Sequence, residues 1–171
     1  MFESVARESS MVPTLYREVL LLIEERLRDM PHPWVITGSL GMVLQGLPLE
    51  IHDIDIQTDG EGAYEIEARL SEYVTRPVEY TRSERVRSHL GACMIGTVKV
   101  EIMGAIQKRL PDGTWESPVD VRPHRCWISL NGRKIPVLSL EYEYHAYRTL
   151  GRLERTALIR EWLEKHPPTC R

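Results

Sequence analysis

The sequence predicts one α/β domain built on a mixed, partly antiparallel sheet. Three observations carry this. Between residues 34 and 73, short apolar runs alternate with segments of helical periodicity in the order β-α-β-α. Residues 52–58 and 98–103 alternate polar and apolar with the period of a strand. Asn131-Gly132, between apolar-rich runs at 125–130 and 133–138, is the clearest hairpin signal, because Asn-Gly favours the tight primed turn and so adds an antiparallel part.

The chain of 171 residues has the length of a single domain that can bury a core without staples. That domain is expected over 13–166, with a flexible N-terminus at 1–12 and a tail at 167–171. Lys plus Arg total 22 against 25 for Asp plus Glu, a formal net charge of -3. Without a global basic field, a nucleic-acid partner is disfavoured and a small substrate favoured. Cys93, Cys126 and Cys170 are odd in number and widely spaced, which fits reduced thiols. No apolar run reaches membrane-spanning length, and the first residues lack the basic-then-apolar order of a signal peptide. A cytoplasmic protein with no membrane partner is expected.

In chain order, Pro13 suits an early helix position. Leu15, Val19, Leu22, Ile23 and Leu27 then recur at helical spacing, with Arg17, Glu24, Glu25 and Arg28 on the other side. Pro31 and Pro33 end that helix and deliver a strand at 34–37. Gly38 makes a tight turn, and Ser39 stands where an N-cap would open a short helix to Gln45. Gly46 and Pro48 break the helix before the strand at 52–58, and Gly60 and Gly62 read as a turn before a helix at 64–73 with Ile66 and Leu70 inward. A strand at 77–81, a charged connection at 83–88 and a hairpin of strands 89–95 and 98–103 around Gly96-Thr97 follow. Residues 106–121 hold the turn formers Pro111, Asp112, Gly113 and Pro118. After the Asn131-Gly132 hairpin, a helix opens near Ser139 and breaks at Gly151, and a last helix over 153–165 carries Leu158, Trp162 and Leu163.

The chemistry concentrates between Trp34 and Asp59. A strand, a glycine turn and a helix start present unpaired backbone N–H groups to an anion such as phosphate, and Gly38 permits close approach. On the following strand, Ile54 and Ile56 share one face while Asp53 and Asp55 share the other. Adjacent same-face carboxylates repel, and divalent cations offset that repulsion; magnesium prefers carboxylate and phosphate oxygens. Lys99 and Glu101 share a strand face in the same way, which makes Glu101 the candidate third acid. Taken singly, a Gly-Ser pair is more often a plain turn and Asp-x-Asp an exposed strand end; their order together favours a phosphate and metal site. His52 would either contact phosphate or hold the strand entrance. A zinc site at His124, Cys126 and His145 lacks compact ligand spacing and a fourth partner. Trp34, Trp115, Trp127 and Trp162 read as packing, and Arg82, Arg85 and Arg87 as a solvated connection.

The Gly38-Ser39 turn, followed after a short helix by Asp53-Ile54-Asp55 on a strand, resembles the signature of the nucleotidyltransferase superfamily that includes DNA polymerase beta. Small antibiotic-modifying and minimal nucleotidyltransferases look closest: His52-Asp53-Ile54-Asp55-Ile56 is similar to the corresponding stretch of lincosamide and aminoglycoside nucleotidyltransferases. Leu138-Ser139 and Gly151-Arg152 resemble the helix start and helix break that follow the sheet in small members. The resemblance implies a nucleotidyltransferase-like fold with flanking helices and two C-terminal helices. It also implies catalytic and metal-holding roles for Asp53, Asp55 and Glu101, nucleotide binding at Gly38 and Ser39, and two magnesium ions. A nucleoside triphosphate such as ATP would be the donor, and its monophosphate would pass to an acceptor hydroxyl on a small molecule or protein.

The sequence departs from the superfamily pattern in three places. Glu101 stands where Asp is common, Leu49, Glu50 and Ile51 stand where a basic residue often precedes the aspartates, and Tyr147 and Glu154-Arg155 replace basic and acidic residues around the helix break. A second reading therefore stays open, a catalytically inactive binding module of this fold that acts with a partner, such as a toxin and antitoxin component. A small helical protein would be that partner, and a homodimer is the other assembly expected.

Overall fold

The computed structural model describes residues 11–167. Its centre is a seven-stranded sheet in the order β3-β4-β5-β2-β1-β7-β6. The strands are β1 (Trp34–Thr37), β2 (Ile54–Thr58), β3 (Val74–Arg82), β4 (Val86–Ile95), β5 (Val98–Lys108), β6 (Arg125–Leu130) and β7 (Arg133–Leu138). The helices are α1 (Thr14–Leu27), α2 (Gly38–Leu44), α3 (Gly60–Arg69), α4 (Leu140–Thr149) and α5 (Leu153–Lys165). β2 lies inside the sheet, antiparallel to β1 and parallel to β5, and β1 runs parallel to β7. The sheet is mixed, as the sequence predicts.

Strand alternation divides the molecule. Ile54 and Ile56 of β2 and Val100 and Ile102 of β5 point to one face, where they join Val19, Ile23 and Leu27 of α1 and Ala63 and Ile66 of α3 in the main core. A smaller cluster of Met42, Leu47, Leu140 and Ile159 packs α4 and α5 beside α2. Asp55, Gln57, Glu101 and Met103 are thereby left on the opposite face, and with Tyr142, Glu143 and Tyr147 of α4 they line one cavity.

Several local expectations are corrected. The buried stripe of α1 is Val19, Leu20, Ile23, Glu24 and Leu27, while Leu15 is exposed. Glu24 turns inward because Arg28 and Arg133 follow it: its carboxylate accepts from Arg28 Nε and Nη2 at 2.7 and 2.8 Å and from Arg133 Nη1 at 3.3 Å. Paired and hydrogen-bonded in this way, a carboxylate can be buried. Helix α2 is capped at Thr37 rather than Ser39, which sits one residue inside the first turn. Gly60 and Gly62 open α3 instead of preceding it, because the Asp59 carboxylate accepts the Gly62 N–H at 2.6 Å and nucleates the helix there. Half of the residues expected as a charged connection, Val86, Arg87 and Ser88, belong to β4, where pairing with β3 and β5 holds them. The hairpin of β6 and β7 forms as predicted, with Asn131 and Gly132 both at positive φ, 50° and 75°.

Cys93 is a free, buried thiol; Cys126 is buried, and Cys170 lies outside the described residues. Of the N-terminus and tail, 1–10 and 168–171 lie outside the described residues, and Val12 is buried in the core. Among the described residues no helix is long and apolar enough to cross a membrane.

Candidate active site

Three adjacent strands build the site. In the ladders, Asp55 of β2 faces Thr37 at the end of β1 on one side and Glu101 of β5 on the other. Asp53 precedes β2 by one residue and points to the same side. Asp53, Asp55 and Glu101 each offer an oxygen within 4.8 Å of the other two, and among the described residues this is the group of three that could hold a metal ion. Lys99, two residues before Glu101 on β5, places Nζ 2.9 Å from the Glu101 carboxylate at the exposed rim.

The electrostatics are those of carboxylates crowded together. Burial pushes the Asp55 carboxyl up to about 7, and the negative charges of Asp53, Glu101 and Glu143 add to that. Asp53 is raised in the same direction, by burial and then by Glu101. Asp55 Oδ1 is buried and accepts no hydrogen bond. An all-oxygen, mutually repelling donor set with an unsatisfied buried oxygen fits a hard divalent cation such as magnesium.

The turn between β1 and α2 closes against this group. Gly38 has φ +69°, and a β-carbon there would overlap Asp55 Oδ2, so the glycine is required by backbone conformation and by space. Ser39 follows, half-buried, in the first turn of α2. The Gly38 N–H is already engaged, donating to Glu143 Oε1 of α4 at 3.1 Å; the Thr37 hydroxyl donates to the same oxygen. Glu143 is buried, and burial lifts its carboxyl to about 7 against the opposing effect of those two donors. A cavity of about 240 Å³ joins Gly38, Asp55, Glu101, Glu143, Tyr147 and Arg152.

Sequence reasoning thus brings Asp53, Asp55, Glu101 and Gly38 to one place. It missed Glu143 and Thr37, although Leu140, Glu143 and Tyr147 recur at helical spacing, and an acid on a helix's inward stripe is a readable signal. His52 is exposed beside Asp53. The disfavoured zinc residues do not assemble: His124 stacks on Tyr142 at 4.1 Å and His145 meets Tyr144 edge-on. Of the arginines read as solvated, Arg87 lies over Trp115 at 3.8 Å and Arg85 donates to the Leu150 carbonyl at 3.2 Å.

Comparison with known proteins agrees with this architecture. The aminoglycoside-2''-adenylyltransferase family matches residues 19–161, and the chain belongs to that family. A Thermotoga maritima protein, assigned provisionally as a nucleotidyltransferase, is 52% identical over 91% of this chain and 96% of its own, with a TM-score of 0.80. The crystal structure of ANT(2'')-Ia with adenylyl-2''-tobramycin is 18% identical over 88% of this chain and 90% of its own, TM-score 0.55. Lincomycin-bound LnuA, a lincosamide antibiotic adenylyltransferase, is 15% identical over 82% and 94%, TM-score 0.55. The last two share the fold. No curated protein sequence matches the chain.

Proposed function

We propose that this nucleotidyltransferase moves a nucleoside monophosphate from a nucleoside triphosphate to an acceptor hydroxyl, with Asp53, Asp55 and Glu101 holding magnesium and Gly38 and Ser39 meeting the donor's phosphates. The observation that carries the reading is the convergence of three carboxylates within 4.8 Å on the face that the Gly38 turn closes. Magnesium bound there would stabilise charge on the attacking and leaving oxygens.

The chain's own residues supply the rest. Asp55, the most buried acid of the three, fixes the position of the charge, and Asp53 and Glu101 flank it. Glu101, whose partly exposed carboxylate pairs with Lys99, would accept the proton of an acceptor hydroxyl as well as hold metal. The Ser39 N–H lies in the first turn of α2, where an amide has no acceptor within its own helix, and it would meet a phosphate oxygen. Walls of apolar side chains, Met103, Ile106 and Leu150, limit water around the reacting groups. The domain spans 13–166 in this reading, and the acceptor is a small molecule or a protein hydroxyl.

Incubation with labelled ATP, GTP, CTP and UTP, magnesium and a panel of hydroxyl acceptors tests the proposal. Metal-dependent transfer with pyrophosphate release, abolished by Asp53→Asn, is expected. Absence of turnover for every donor, with co-purification of a partner protein, would favour the inactive binding module instead.

A further inference from the structure

We propose that Glu143 is a positioning residue for nucleotidyl transfer: it accepts from the Thr37 hydroxyl and the Gly38 N–H and so fixes the turn that meets the donor's phosphates against Asp55. The inference rests on the nucleotidyltransferase reading above.

Glu143 is 3% exposed and projects from the inward stripe of α4, between Leu140 and Tyr147. A carboxylate at such a position is costly, whereas leucine would fill the space at no electrostatic cost. Both bonds end on the same oxygen, Oε1, and both come from the junction of β1 and α2. The contact joins segments more than a hundred residues apart, so it ties α4 to the phosphate side of the site rather than stabilising its own helix. The chain of bonds extends further: Gln57 Nε2 of β2 donates to Thr37 Oγ1 at 3.4 Å. Thr37 is the ladder partner of Asp55, and Gly38 packs on the Asp55 carboxylate.

Gly38 is where this tether is needed. With no β-carbon and φ +69°, it has more backbone freedom than any other residue type would have. Without Glu143, nothing else on the α4 side would hold its N–H, and the turn could shift relative to Asp55 while the sheet stayed intact. Displacements of about 1 Å at a reacting centre can reduce rate about a hundredfold. Glu143 itself touches no reacting atom in this account; it acts through Thr37 and Gly38.

The test compares Glu143→Ala, Glu143→Gln and Thr37→Val with the wild type at a temperature where all are folded. The readouts are kinetics with the nucleoside triphosphate and magnesium, and the ¹⁵N–¹H resonance of the Gly38 amide. Glu143→Ala is expected to raise KM for the triphosphate and lower kcat, each by about tenfold, and to move the Gly38 resonance. Glu143→Gln keeps an acceptor oxygen and should recover both parameters to within about threefold, with Thr37→Val in between. Should Glu143→Ala fail to fold, Glu143→Gln and Thr37→Val still carry the comparison.

Wild-type KM and kcat in Glu143→Ala, or equal losses in the Ala and Gln variants, would overturn the proposal. So would an unmoved Gly38 resonance in Glu143→Ala or, if that variant does not fold, unchanged kinetics in Thr37→Val. An inactive wild type would instead refute the transferase reading on which it rests.

Discussion

Gly38 and Asp55 are in direct contact, with the glycine's missing side chain leaving the space that Asp55 Oδ2 occupies. This pair fixes the spacing between the turn that meets phosphate and the central acid. Gly38→Ala forces an L side chain into positive φ and drives the Asp55 carboxylate away from Asp53 and Glu101. The expected cost is about 1–3 kcal/mol in stability, with transfer falling by at least about a hundredfold. Denaturant unfolding and transfer kinetics on the same preparation check both.

A pH dependence follows from Asp55 and Glu143, both raised to about 7 by burial. A carboxyl raised in the folded state contributes stability that is complete below its unfolded value near 4 and is lost as pH rises through about 7. The metal-free protein should therefore melt at a higher temperature at pH 5 than at pH 8. Asp55→Asn should flatten that slope and stabilise the metal-free protein at pH 8 by about 1–3 kcal/mol. Magnesium affinity should run in the opposite direction and weaken below pH 7, because protons compete for the same oxygens. Melting curves across pH, with and without magnesium, are the measurement.

Lys99 is half exposed at the rim and paired with Glu101. Removing its charge by Lys99→Met relieves competition for the Glu101 carboxylate, so magnesium should bind about two- to fivefold more tightly at low salt, with the difference shrinking at high salt. Fold stability should change by less than about 0.5 kcal/mol, as befits an exposed ion pair. Calorimetric titration at two salt concentrations resolves the effect.

The legible parts of the sequence were those written in local periodicity. Alternation along 52–58 and 98–103 put Asp53, Asp55 and Glu101 on one sheet face, and Asn131-Gly132 located its hairpin. Element boundaries yielded to interactions that periodicity does not carry. Asp59 starts α3 at Gly60 because its side chain finds the Gly62 N–H, and Glu24 is buried because Arg133, more than a hundred residues away, supplies a partner. Glu143 escaped for the same reason. Its meaning depends on Thr37 and Gly38, which only the packing of α4 over the end of β1 brings to it.

The central claim is that Asp53, Asp55 and Glu101 hold metal for a nucleotide, and thermal melts of the wild type and Asp55→Asn with magnesium plus each nucleoside triphosphate test it most directly. Ligand at about a hundred times its Kd should stabilise the wild type by about 2.7 kcal/mol through mass action. Asp55→Asn, folded but lacking the buried oxygen at the centre of the group, should gain little or nothing. Equal stabilisation of the two proteins would contradict the account and return Asp55 to a structural role.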